Sequence, residues 1–261
     1  MPSYYYSGQG QLYLGTRNAT TGRPEGLLEV GNVPSLEISI EVDKYEHKEA
    51  TTGNRAVDLT LINEQNATFS MVIESFNSRN LALAFFGAEA TVSAATVASE
   101  SVTLYAPDTI SGDVKKVPLA HINLDEGTPV TVADSLAASM TEGSDFEVNY
   151  ATGMIWALPG WSGATLPDTV TVGYDHNGYP QVNAFTVTNV ERYMRFDGIN
   201  TVNGDAVVVD MFRAQFDPAQ SWPLINDEVG QLNLTGNILQ DSLNSALGSD
   251  FFIERKSINV A

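Results

Sequence analysis

Apolar and polar residues alternate with period two along Pro34-Ser-Leu-Glu-Ile-Ser-Ile-Glu-Val-Asp43, where Leu36, Ile38, Ile40 and Val42 oppose Glu37, Ser39, Glu41 and Asp43. Successive side chains of a strand point to opposite faces, so this pattern predicts a strand over 35–43 with one buried face and one acidic face. Three of its four polar positions are carboxylates and none is basic. Alternation returns in 56–62, with Val57, Leu59 and Leu61 on one face, and in 68–74, with Phe69, Met71 and Ile73 inward. Asn63-Glu-Gln-Asn66 predicts a turn between them, so the three runs predict an antiparallel meander. The stretch 44–55 reads as a polar loop in which Glu46, His47, Lys48, Glu49 and Arg55 mix both signs. Such a loop either waves in solvent or meets a complementary copy of itself.

Ser78-Arg-Asn-Leu-Ala-Leu-Ala-Phe-Phe-Gly87 predicts a short helix, with Asn77 or Ser78 as cap, apolar pairs four apart (Leu81/Phe85, Ala82/Phe86) and Gly87 as its stop. From 88 to 184 the composition shifts to twelve acidic residues against only Lys115 and Lys116. Short strands near 101–105, 114–120, 129–133, 145–150, 153–158 and 169–174 suit a small sandwich-like insertion, with 145–156 as a hairpin. Longer strands follow at 185–196, 205–216 and 231–239, with 197–204 as a turn-rich loop. Residues 1–33 read as an arm carrying one short strand at 11–14, and 249–261 as a C-terminal arm suited to docking on a neighbour. The fold class expected is mainly β.

Charge changes the picture in one respect. The chain has 261 residues, 13 Lys+Arg and 32 Asp+Glu, for a net charge of −19. That excludes nucleic-acid binding by phosphate neutralisation, and leaves open both acidity for solubility alone and a role beside nucleic acid with repulsion as its purpose. The absence of cysteine excludes disulfides, thiolate metal sites and cysteine nucleophiles. The N-terminus lacks a basic start and apolar run, and no apolar stretch approaches the roughly 18 residues of a membrane span. Folding in a cytoplasm, without export by the usual route, is the expectation.

Candidate chemistry is sparse. His47, His121 and His176 lie far apart and fit no metal-ligand spacing, and Asp175-His-Asn-Gly178 lacks the ligands of a calcium loop. No nucleophile elbow, phosphate loop or dinucleotide fingerprint occurs, so no catalytic residue, metal or cofactor is expected. An acid-pair glycosidase remains a third class, because 32 acids always offer some pair. Tyr4, Tyr5, Tyr6, Trp156, Trp161 and Trp222 would suit a carbohydrate- or surface-binding β module of a virion, or serve simply as core and interface packing.

Several segments together resemble the tail tube (major tail) proteins of long-tailed, non-contractile bacteriophages. They are Tyr6-Ser-Gly-Gln-Gly-Gln-Leu-Tyr-Leu-Gly15, Gly31-Asn-Val-Pro-Ser-Leu-Glu37, the Glu46-His-Lys-Glu49 to Thr52-Gly-Asn-Arg55 tip, and the strand–strand–helix unit to Gly87. The similarity resumes at Arg195-Phe-Asp-Gly-Ile-Asn200, Phe216-Asp-Pro218 and Leu224-Ile-Asn-Asp-Glu228, covering about residues 5–90 and 185–256. The resemblance implies a tail-tube β-barrel or sandwich over 34–90 and 185–248 with one flanking helix. The segment 91–184 would be an inserted β domain, similar to the immunoglobulin-like decorations of some such proteins.

It further implies a homo-hexamer stacking into a tube, with tape measure and tail terminator or tip proteins as partners, in a virion tail assembled in the host cytoplasm. DNA would pass through an acidic lumen without specific binding, and no membrane would be entered. By the resemblance, Glu37, Glu41, Asp43, Asp58 and Glu74 line the lumen. His47, Lys48, Glu49 and Arg55 would make inter-ring contacts.

Overall fold

The structure, a computed structural model, describes residues 5–51 and 53–257. Among these the chain is mainly β, and it divides into two compact units, residues up to 89 with those from 182 onward, and residues 90–181. The first unit opens with β1 (Gly8–Gly15), β2 (Leu28–Glu29), β3 (Ser35–Lys48), β4 (Val57–Ile73) and helix α1 (Ser78–Ala84). β5 (Ala88–Val92) leads out of it. The second unit holds β6 (Ala95–Leu104), β7 (Val117–Pro118), β8 (Thr131–Ala133), β9 (Ser139–Met140), β10 (Phe146–Asn149), β11 (Met154–Ala157) and β12 (Asp168–His176). β13 (Tyr179–Asn183) leads back and pairs with β5. The first unit then resumes with β14 (Glu191–Asn200), β15 (Ala206–Phe216), β16 (Leu232–Ile238), a 3-10 helix (Ser242–Leu247) and β17 (Phe252–Ser257).

The first unit's sheet runs β2-β1-β14-β15-β16-β4-β3, antiparallel at each described pairing, with β17 also on β15. The path ends at β2 and β3, so no barrel closes. A cavity of about 710 Å³ between β1 and the start of β3 occupies the open side, with Tyr6, Gln9, Ile38 and Phe196 in its wall. Alternation builds the core: Ala67, Phe69, Met71 and Ile73 of β4 and Leu232, Leu234, Gly236 and Ile238 of β16 are buried, while the residues between them are exposed or half-buried. Phe69 meets Phe216 edge to face, with centroids 4.9 Å apart.

Helix α1 plugs this core with Leu83 and Ala84, and the Asn77 side chain caps it by accepting from the Asn80 N–H at 2.9 Å. The stop differs from expectation. Phe86, not Gly87, takes the left-handed conformation (φ 49°), while the Gly87 N–H returns to the Ala82 carbonyl and that of Phe86 to Leu83. Glycine at 87 answers a different demand, since a Cβ there would lie 2.6 Å from the Asn183 carbonyl oxygen.

Four sequence expectations are corrected. Residues 63–66 do not turn: β4 runs unbroken for 17 residues, and β3 and β4 form one long hairpin rather than part of a three-stranded meander. The segment 44–48 is strand, not loop. Asp197–Asn200 continue β14 opposite Gln11–Gly8, so only 201–204 turn. The C-terminal residues 252–257 pair with the chain's own β15 rather than extending as an arm.

The second unit has a four-stranded sheet, β6-β12-β8-β9, and a three-stranded one, β10-β11-β7. Their shared core includes Leu104, Phe146, Ile155, Val170 and Val172, and the expected hairpin appears as β10–β11 in register Phe146↔Ala157. Buried aspartates pin its loops: Asp145 accepts from the Thr141 N–H, the Ser162 N–H and the Ser162 hydroxyl, which holds its carboxyl below the usual range.

Candidate functional site

The β3–β4 hairpin is the feature that best matches a function. Residues directly opposite one another across an antiparallel pair share a face. Glu37 stands opposite Ser70, Ser39 opposite Thr68, Glu41 opposite Asn66 and Asp43 opposite Glu64. These eight form the face turned away from the core, and all are exposed. The polar row continues onto β16, where Thr235 and Asn237 face Ser70 and Thr68, and onto β15 with Gln215 opposite Asn237. Glu37, Glu41, Asp43 and Glu64 therefore sit on one surface among neutral hydroxyls and amides of β3, β4 and β16, with Glu191 and its partner Arg213 following at the β14–β15 side. Like charges placed opposite, as at Asp43 and Glu64, cost stability in a strand pair.

Two irregularities shape the outer half. The register shifts at Asn63 and again at Asp58, each leaving one extra residue on β4. Because a one-residue shift exchanges the two faces, β4 switches its apolar side at Asn63. β3 switches in step: its apolar row ends at Val42, and Tyr45 takes up the opposite face alongside Asp43, paired with Leu61. The outer half touches none of the core, leaving Ile40 66% and Leu59 50% exposed, with Tyr45, Leu61 and Ile62 similarly bare. At 3.3 Å per residue, the nine residues from Ile40 to Lys48 reach about 30 Å.

The five acids expected in a lumen thus separate. Glu37, Glu41 and Asp43 share the acidic face. Asp58 lies in the outer bulge and pairs with the His47 ring nitrogen at 2.5 Å. Glu74 follows β4 at the opposite end, where it accepts from the Asn32 and Gln231 amides. Glu64 was missed, because reading 63–66 as a turn removed it from the strand. The signal that finds it is the lack of glycine or proline in that segment. Of the residues expected between rings, His47 and Lys48 end β3, while Glu49 and Arg55 lie in the connecting loop, Arg55 in the left-handed region (φ 48°). Thr52 of that tip lies outside the described residues.

The aromatics do not assemble into one platform. Trp161 donates its indole N–H to the Ala164 carbonyl, Trp222 packs on Phe85 at 5.0 Å, and Lys116 covers Trp156 at 4.4 Å. Tyr5 and Tyr6 are exposed, and Tyr4 lies outside the described residues. Sequence distance hid one cluster: His121 and His176 stack at 4.0 Å and 9°, with His121 also bonded to the Tyr179 hydroxyl. Among the described residues no three His, Cys, Asp or Glu side chains gather as metal ligands.

No curated protein matches the chain. A family model does, along residues 5–253. Matched over nearly its whole length, the chain belongs to the family described as protein of unknown function UCP028589.

Proposed function

We propose that this chain is the structural subunit of a phage tail tube. Six copies would form each ring, with stacked rings enclosing an acidic lumen that conducts DNA during ejection. The observation that carries the reading is the cation-free face of the inner β3–β4 hairpin, with Glu37, Glu41, Asp43 and Glu64 among neutral polar groups. Phosphates moving along such a wall meet repulsion and no ion-pairing partner, so they slide rather than bind. Two further features favour assembly. Among the described residues the β3 edge away from β4 has no strand partner, and an unpaired edge of 14 residues invites pairing with another copy, which closure of a ring satisfies. The bare apolar row of the outer hairpin is the kind of surface a soluble protein covers by association.

In this reading His47, Lys48, Glu49 and Arg55, at the hairpin tip, contact the next ring, and the 90–181 unit decorates the tube. Asp58 and Glu74, engaged elsewhere, leave the lumen set. Tape measure and terminator proteins would be the other partners, and the virion tail the location. The test is a combined Glu37→Gln, Glu41→Gln, Asp43→Asn and Glu64→Gln variant. It should fold and assemble while slowing DNA ejection at least several-fold. Ejection at the unaltered rate and salt dependence would reject the lumen role.

A further inference from the structure

In a chain with 32 acidic side chains, arginines should find carboxylates, and four of the eight, all in the first unit, form ion pairs among the described residues. Arg17 pairs with Asp241, Arg213 with Glu191, Arg195 with Asp197 and Asp210, and Arg255 with Asp210. Arg79 at the start of α1 and Arg192 at the start of β14 are exceptions. Each donates to a backbone carbonyl, Arg79 to Glu29 at 2.7 Å and Arg192 to Glu191 at 2.9 Å. No carboxylate lies within ion-pairing distance of either among the described residues. A guanidinium offers five N–H donors in a planar fork, so both have capacity left.

The two arginines line the same space. A cavity of about 320 Å³, walled by Leu14, Leu28, Val30 and Leu83, has both in its lining. An adjoining one of about 260 Å³ shares Arg79, Leu83 and Arg192. Burial pushes the Arg192 guanidinium below its ordinary value, with no neighbouring charge to oppose the shift. A guanidinium kept from water without a counter-charge is costly, and an anion in the space that both arginines line offsets that cost. Glu25 lines the first cavity, where it accepts from the Asn18 amide, and Glu89 lines the second.

We propose that the cleft between Arg79 and Arg192 is an oxyanion site, holding one phosphate or carboxylate group between two guanidinium forks. Fork geometry matches both groups bidentately. A space of about 320 Å³ suits one compact group. Its source is either a free ion or a carboxylate side chain of a second copy of this chain.

Thermal unfolding of the full chain in inorganic phosphate, against sodium chloride of equal ionic strength, is the experiment. A saturable rise in melting temperature over the millimolar range is expected, abolished in Arg79→Gln and in Arg192→Gln. Glu25→Gln with Glu89→Gln should shift half-saturation at least twofold lower, by removing repulsion from the bound anion. Without phosphate, Arg192→Gln should melt no lower than the unaltered chain, because it removes an unpaired, desolvated charge. Self-association followed by sedimentation then separates the sources: phosphate that weakens association points to a carboxylate of a second copy, and association indifferent to phosphate points to a free ion. A phosphate response no larger than that to chloride, or one that persists in the doubly substituted chain, overturns the proposal.

Discussion

Single side chains decide where the first unit is tied together. Asp241 is buried and accepts from Arg17 Nε at 2.7 Å and Nη2 at 2.6 Å, and also from the Leu243 N–H and the Asn244 amide. Burial pushes its carboxyl up, but the Arg17 hydrogen bonds and charge overcome that and leave it below the ordinary 3.8. A depressed carboxylate stabilises the fold above the unfolded value and loses that contribution as pH falls through the lower, folded one. Acid unfolding should therefore gain a component below pH 3.8 that Asp241→Asn removes. At neutral pH that variant should lose about 3–5 kcal/mol in urea unfolding, because it strands the Arg17 charge. A loss under about 1 kcal/mol, the scale of an exposed pair, would mean the bridge is no more than a surface contact.

Elements show which parts of the fold sequence pattern could reach. The inner half of β3 was legible because Leu36 and Ile38 pack on the core, so burial and alternation coincide. In β4, residues 57–66 have both faces exposed, and without a buried face no period is imposed on the sequence. Asn63-Glu-Gln-Asn66 then resembles a turn by polarity alone. The helix start was legible through Asn77, but its stop was not, since left-handed Phe86 runs against the usual preference for glycine. Of the acidic face, Glu37, Glu41 and Asp43 could be read from one strand, while Glu64 needed the register. Leu59→Ser together with Leu61→Ser tests the outer row directly, since the shift at Asn63 places both leucines on the face of Tyr45. Association of copies should fall at least tenfold. Stability of the body should change by less than about 1 kcal/mol, because this half contributes nothing to the core. Association that survives the substitutions would show that the apolar row is not an interface.

At the scale of the whole molecule, 90–181 has its own core, and both chain crossings are held side by side in the β5–β13 ribbon. Replacing that unit by a short glycine-containing turn removes no residue of the first core. Calorimetry should find one cooperative transition in the shortened chain and two in the full one. A shortened chain that fails to fold would show the cores to be interdependent. The inserted segment also holds over half of the net charge, with twelve acids against two lysines between 88 and 184. Total acidity is thus poor evidence for a DNA conduit, and the weight falls on four carboxylates of one hairpin. A cryo-electron microscopy map of the assembled purified protein measures their position most directly. Stacked six-membered rings in which Glu37, Glu41, Asp43 and Glu64 line the central channel are expected. Rings with that face turned outward, or a protein that stays monomeric at high concentration, would contradict that.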